Sequence, residues 1–225
     1  MFQLLIPVWQ RFALNSMVSG DYDKAEKYFL RIHRYKPLLS GFEYNLGLIK
    51  LAQNKYEEAE LFLKKDISLY GESYNRLRVM GDLYYIWGKR ELASMLYKKA
   101  FAVCEGEFDK NILTIRIQKC SSEKAFDKVK KGHTLYKEGN NLLKSGKNAE
   151  AFKAFSDAVE QDGTHFQALN NKGTILMNTF HKYKEALECF EQASKLTNLP
   201  AIHSNVLKAR ESLKKNRDGN TQETL

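Results

Sequence analysis

The five histidines, His33, His133, His165, His181 and His203, and the three cysteines, Cys104, Cys120 and Cys189, are the side chains here best suited to proton transfer, nucleophilic attack or metal binding. None stands at a spacing that makes them act together. No HxxxH or HExxH pair occurs, no CxxC, and no Ser or Cys lies in a nucleophile elbow. The glycines occur singly rather than in a phosphate-cradling loop. The sequence therefore predicts no catalytic residue, no metal ligand and no cofactor. The cysteines, odd in number and far apart, read as buried thiols of a reducing, cytoplasmic compartment.

The remaining chemistry is that of recognition. The 225 residues carry 36 Lys and Arg against 27 Asp and Glu, a net charge of +9, which favours acidic partners. By segment the basic and acidic counts are 16 and 13 for 1–107, 7 and 3 for 108–131, and 13 and 11 for 132–225. Outside the middle segment the signs are interleaved, as on a solvated helix face, which argues against a nucleic-acid stripe. No run approaches the roughly 20 apolar residues of a membrane span. The opening MFQLLIPVWQRF lacks the early positive charge of a secretory signal. Association with a membrane-bound complex is left open by these features.

Three prolines in a chain rich in Ala, Leu, Lys, Glu and Tyr predict helices. Their arrangement is periodic. Ala25, Ala59 and Ala93 stand 34 residues apart and open similar phrases, AEKYFLRI, AELFLKKD and ASMLYKKA; Ala151 and Ala186 open AFKAFSDA and ALECFEQA after intervals of 58 and 35. A second small residue precedes each alanine by 12 or 13, at Ala13, Gly47, Gly81, Gly139 and Gly173. Small residues at a helix crossing let two backbones approach while larger apolar neighbours fill the space around them. Gly20, Asn54, Gly88 and Gly146 fall where paired helices must turn, and accept the positive φ such an end needs.

These residues resemble the tetratricopeptide repeat (TPR) pattern, in the first copy through Trp9, Gly20, Tyr22, Ala25, Phe29 and Pro37, and in the third through Gly81, Tyr84, Gly88, Ala93, Tyr97 and Ala100. The resemblance implies an all-α fold, a TPR-like helical-hairpin solenoid wound as a right-handed superhelix, with about five repeats, a degenerate helical insert and a C-terminal capping helix. The expected organisation is a three-repeat block over 1–107 (about 6–39, 40–73 and 74–107), a basic connector over 108–131, a two-repeat block over 132–199, a capping helix over 200–216 and a disordered tail over 217–225. NILTIRIQKC in the connector is compatible with helix or strand, and either Ser121 or Ser122 can cap a following helix. A bend between the blocks and a long helix running into LYKEGNNLL are both compatible with it.

The resemblance also implies that the first helix of each hairpin lines a binding groove. Positions three before, one after and four after the crossing residue share one face of that helix. In the front block they are Gln10, Leu14 and Met17, then Tyr44, Leu48 and Leu51, then Arg78, Asp82 and Tyr85, an apolar and aromatic row. In the rear block they are Tyr136, Asn140 and Leu143, then Asn170, Thr174 and Met177, flanked by Lys137 and Asn171, a row rich in amides. The first suits an amphipathic segment with apolar anchors, the second an extended backbone whose N–H and C=O groups need partners. KEGN at 137–140 with Asn171 resembles part of the dicarboxylate clamp of chaperone-binding relatives. Tyr136, Ile202 and Val206 stand where that clamp needs cations, with Lys208 and Arg210 a turn out of register. The expected function is a non-catalytic adaptor or scaffold that holds one or two protein or peptide partners in assembly of a multiprotein complex such as a machine for secretion, pili or motility. The alternatives are a co-chaperone for acidic C-terminal peptides and a nucleic-acid binder acting through the connector.

Overall fold

The computed structural model describes residues 2–37, 39–197 and 199–222. Among them the regular structure is a 3-10 turn, Phe2–Leu5, and the helices α1 Ile6–Val18, α2 Tyr22–Tyr35, α3 Phe42–Ala52, α4 Tyr56–Tyr70, α5 Tyr74–Trp87, α6 Arg90–Ala102, α7 Glu107–Lys119, α8 Glu123–Lys144, α9 Asn148–Gln161, α10 Phe166–Asn178, α11 Tyr183–Ser194 and α12 Pro200–Gln222. The fold is all-α and built of antiparallel hairpins, and it divides into two compact units, residues 1–117 and 118–225.

In the front unit α1/α2, α3/α4 and α5/α6 are the three hairpins, followed by most of α7. In the rear unit α8/α9 and α10/α11 form two more, and α12 packs on α11. The crossings lie where the period put them. Ala25, Ala59, Ala93, Ala151 and Ala186 are fully buried. Opposite them a Cβ built on Gly47 would stand 2.6 Å from Leu63, on Gly81 2.7 Å from Tyr97, on Gly139 2.6 Å from Phe155 and on Gly173 2.8 Å from Phe190. In each of these four hairpins one large buried side chain packs directly on a glycine, a contact that a Cβ would wedge open, whereas the first hairpin has Ala13 at the same place.

The four expected turn residues have positive φ: Gly20 at 79°, Asn54 at 60°, Gly88 at 87° and Gly146 at 74°. The fifth hairpin turns at His181, φ 53°, which the sequence pattern did not mark.

The segment 108–131 is helical, as α7 and the first turns of α8, and the boundary between the units falls inside it. Of the two candidate caps it is the Ser122 hydroxyl that accepts from the Ala125 N–H, at 3.2 Å. The 22-residue α8 runs without a break into LYKEGNNLL. One expectation is corrected: α12 continues to Gln222, so 217–222, expected to be disordered, are helical, while 223–225 lie outside the described residues. Once a packed helix is nucleated, each added residue costs little, even where the sequence is polar.

Buried polar groups in the front unit are met by specific partners. Lys50, almost fully buried, reaches Glu26 and Glu58 at 2.8 Å each. Burial works against its charge, but these two hydrogen bonds outweigh it and raise its pKa. Asp66, with a side chain 1% exposed, takes a 2.6 Å bond from Arg76 Nε. This pair ties α4 to α5 across two hairpins.

Candidate partner-binding faces

On the front unit, Leu14 is half exposed on α1 and Met17 packs partly into the first core with Trp9, Phe42 and Leu46. Tyr44, Leu48 and Leu51 are half-buried along α3, leaving part of each ring or side chain open. The Tyr44 phenol is held above its ordinary pKa by burial, with Arg78 the strongest opposing charge.

The third copy departs from the apolar row. Arg78 reaches Asp82 at 3.1 Å, and the other Asp82 oxygen accepts from the Tyr97 hydroxyl at 2.8 Å. Burial, and then the Asp82 charge, push the Tyr97 phenol well up. Tyr85 is not an open anchor. It is 6% exposed, its ring meets Tyr97 edge-on at 5.9 Å, and the Arg116 guanidinium of α7 covers it at 4.5 Å. Tyr74, on the same helix, faces Asp109 of α7, and burial with that carboxylate raises its pKa. α7 therefore lies on the third copy, and the open apolar part of the front row is Leu14, Tyr44, Leu48 and Leu51. Sequence spacing names the face of a helix but not what lies across it.

On the rear unit the amides meet. Asn171 donates to Asn140 at 3.1 Å, Asn170 to Asn171 at 3.4 Å, and Asn205 to Asn170 at 2.8 Å. The result is a one-directional ladder running from α12 through α10 to α8. By the inventory of a primary amide, it leaves one side-chain N–H on Asn170, Asn171 and Asn205, both on Asn140, and the acceptor of Asn205. Asn205 was missed in the sequence, although it stands 35 residues after Asn170, the interval that separates Ala151 from Ala186. The Thr174 hydroxyl donates to the Asn170 backbone carbonyl of its own helix at 2.9 Å. Met177 packs partly against the core of Leu176, Phe190 and Val206.

Beside the ladder, the Tyr136 ring lies tilted against His165 at 4.5 Å and is 5.9 Å from Phe155. His133, one turn earlier on α8, lies 5.9 Å from the His165 ring, and its Nε2 is buried with no hydrogen-bond partner among the described residues. Burial, and then the Lys137 charge, lower the His133 pKa to about 4. The linkage sign follows. A base with a folded pKa below its unfolded value of 6.5 adds stability that is intact above pH 6.5 and fades as pH falls toward 4, because there the unfolded chain binds more protons. The His133 contribution to the loss between pH 8 and pH 5 is expected to be about 2 kcal/mol. His133→Gln should flatten the urea midpoint against pH over that interval; an unchanged slope would show the imidazole is not buried neutral.

The clamp positions on the last helix do not offer cations. Ile202 and Val206 are buried at 4% and 8% exposure, and Arg210 is paired with Glu191 at 2.7 Å. The cations of the connector are also largely engaged: of its seven, Lys110 pairs with Glu107, Lys119 with buried Asp162, Lys130 with Asp127, and Arg116 stacks on Tyr85. Cys104, Cys120 and Cys189 are buried and form no disulfide. Among the described residues no three His, Cys, Asp or Glu side chains gather into a metal-binding group, and no helix is long and apolar enough to cross a membrane.

One family model matches part of the chain. Residues 136–197 match the tetratricopeptide repeat family model. No curated protein matches the chain. Among solved structures it is similar to the TPR2AB domain of yeast Sti1, solved as a pHSP90 complex, at 14% identity over 96% of this chain and 87% of that one, TM-score 0.47. It is also similar to YrrB, described as a TPR protein with an unusual peptide-binding site, at 17% identity over 90% of each chain, TM-score 0.42. A third is MamA, at 16% identity over 87% of this chain and 98% of that one, TM-score 0.40.

Proposed function

We propose, on the premise that residues 136–197 match the tetratricopeptide repeat family model, that the chain is a non-catalytic adaptor whose two units each hold a protein segment on the inner row of their first helices. The observation that carries this reading is the asparagine ladder. Three helices contribute amides to one line, bonded to one another yet each with hydrogen-bonding capacity left over. Such a line meets the needs of an extended peptide, whose backbone alternates donors and acceptors whatever its side chains. The front row, by contrast, offers Leu14, Tyr44, Leu48 and Leu51 to the apolar side of an amphipathic segment. Two chemically different rows favour bridging of two partners over a receptor for one, in keeping with assembly of a multiprotein complex such as a secretion, pilus or motility machine. The net charge of +9 favours acidic partners. A reducing, cytoplasmic setting, with or without attachment to a membrane-bound complex, fits the buried thiols.

A dicarboxylate clamp is the weaker reading, because buried Ile202 and Val206 occupy the places of its cationic half. Binding of nucleic acid is weaker still, since four of seven connector cations already have partners.

Asn140→Ala with Asn171→Ala should weaken capture of a rear-unit partner by about 2 kcal/mol, at roughly 1 kcal/mol per hydrogen bond lost. Titration of a C-terminal dicarboxylate peptide at physiological salt serves as the counter-test. No saturation is expected; saturable binding abolished by the asparagine variant would instead support the clamp.

A further inference from the structure

The outer face of the first hairpin exposes side chains that the second and third hairpins bury at the same places in the repeat. One residue before the crossing, Phe12 is 47% exposed, whereas Leu46 and Met80 are 1% and 3% exposed. Five before it, Val8 is 45% exposed and Phe42 5%. In the second and third copies the preceding hairpin seals this face. In the first it is open, and Leu4 and Leu5 extend it at 82% and 40% exposure. Tyr28 of α2 completes it, its ring stacked on Phe12 at 5.5 Å. A contiguous apolar face of this kind marks a place where another element packs.

The rim of the face has one sign. Arg11 stands one turn from Val8, and Lys24 and Arg31 stand one turn either side of Tyr28, all three exposed. α1 has no acidic residue. The three acids of this hairpin are committed elsewhere: Asp21 accepts from the Lys24 backbone N–H as the cap of α2, Asp23 from Gln53, and Glu26 from Lys50 and Gln53.

We propose that this face is a docking site, separate from the inner rows, for an amphipathic helix of a protein partner with large apolar side chains at i and i+4 and an acidic flank. The helical form follows from what covers the same face in the later copies, and the acidic flank from the positive sign of the rim, of which Arg31 also lies over the Trp9 ring at 4.7 Å. A second copy of this chain is a poor occupant, because face to face it would oppose Arg11, Lys24 and Arg31 with the same cations.

The test uses the full chain and two synthetic amphipathic helices with the same leucine stripe, one flanked by glutamates and one by lysines, read by fluorescence anisotropy. The acidic helix should bind saturably, more weakly at high salt, and the lysine-flanked helix should not. Val8→Ser with Phe12→Ser should cut affinity at least about tenfold, with thermal unfolding little changed because both positions are half exposed. Arg11→Glu with Arg31→Glu should reverse the preference between the helices, and serves if the serine variant does not fold. The proposal is overturned by equal binding of both helices, by equal binding to wild type and variants, or by no binding. It is equally overturned if the face instead binds vesicles of anionic phospholipid, or if sedimentation shows a dimer that the serine variant dissolves. Loss of the asparagine ladder leaves this binding unaffected, so its failure and that of the inner rows are distinguishable.

Discussion

Replacing Gly139 by leucine is expected to destabilise the rear unit by about 3 kcal/mol, and replacing it by alanine by less but in the same direction. Two effects of opposite sign compete in the alanine variant. Glycine inside a helix costs about 1 kcal/mol relative to alanine, so the exchange alone would stabilise α8. Against this, the new Cβ would lie 2.6, 2.8 and 2.9 Å from three atoms of the Phe155 ring. That ring is fully buried and braced by Tyr136, so it has no free rotamer into which to retreat. Overpacking of this kind costs about 1 to 3 kcal/mol, which outweighs the helical gain. Urea unfolding measures it, and a cycle with Phe155→Leu separates clash from propensity. The coupling between the two positions should be large and favourable, since the smaller side chain makes room for the methyl group. A stabilised Gly139→Ala would mean that the helices are not in close contact there.

The second large effect is expected at the Asp66–Arg76 pair of the front unit. The Asp66 carboxylate has left water, and its bond to Arg76 Nε is short at 2.6 Å. Its Oδ1 has no hydrogen-bond partner among the described residues, so Arg76 carries most of the compensation. Arg76→Ala leaves a buried charge with nothing opposite it, and the expected loss is about 3 kcal/mol, against well under 1 kcal/mol for an exposed pair such as Lys99–Glu72. The cost belongs to the orphaned carboxylate rather than to the pair itself. Arg76→Met combined with Asp66→Leu should therefore recover most of the loss, because an apolar pair needs no compensation. If Arg76→Ala and the double variant lose the same stability, the site is limited by packing and not by charge.

Much of this architecture was legible because it recurs. A glycine at a crossing is ambiguous once, but Gly47, Gly81, Gly139 and Gly173 each 12 or 13 residues before a buried alanine are not, and each meets a large buried side chain of the partner helix. The turns were legible for the same reason wherever glycine or asparagine supplied the positive φ; His181 escaped because its residue type does not advertise that conformation. The candidate rows were legible by face but not by environment. Spacing placed Tyr85 beside Tyr44 and Leu48, yet it could not show that Arg116 of α7, which lies outside the repeat pattern, covers that ring. The rear amides were recognised one by one, and their bonding into a ladder is a tertiary fact: Asn140, Asn171, Asn170 and Asn205 come from three helices. The outer face of α1 shows the converse. Phe12 reads as core by its place in the repeat and is half exposed, because burial of that position depends on a neighbouring hairpin rather than on its own helix.

The two inner rows are most directly tested by quantitative affinity capture from native lysate, run in parallel on wild type, Tyr44→Ala with Leu48→Ala, and Asn140→Ala with Asn171→Ala, each first shown to be folded. Captured proteins are quantified by mass spectrometry. The account predicts that each variant loses a different subset of the wild-type partners, the front variant by about 2 to 4 kcal/mol in affinity, while retaining the other subset. Capture of the same proteins in the same amounts by all three would contradict it, and would place recognition on some other surface of the chain.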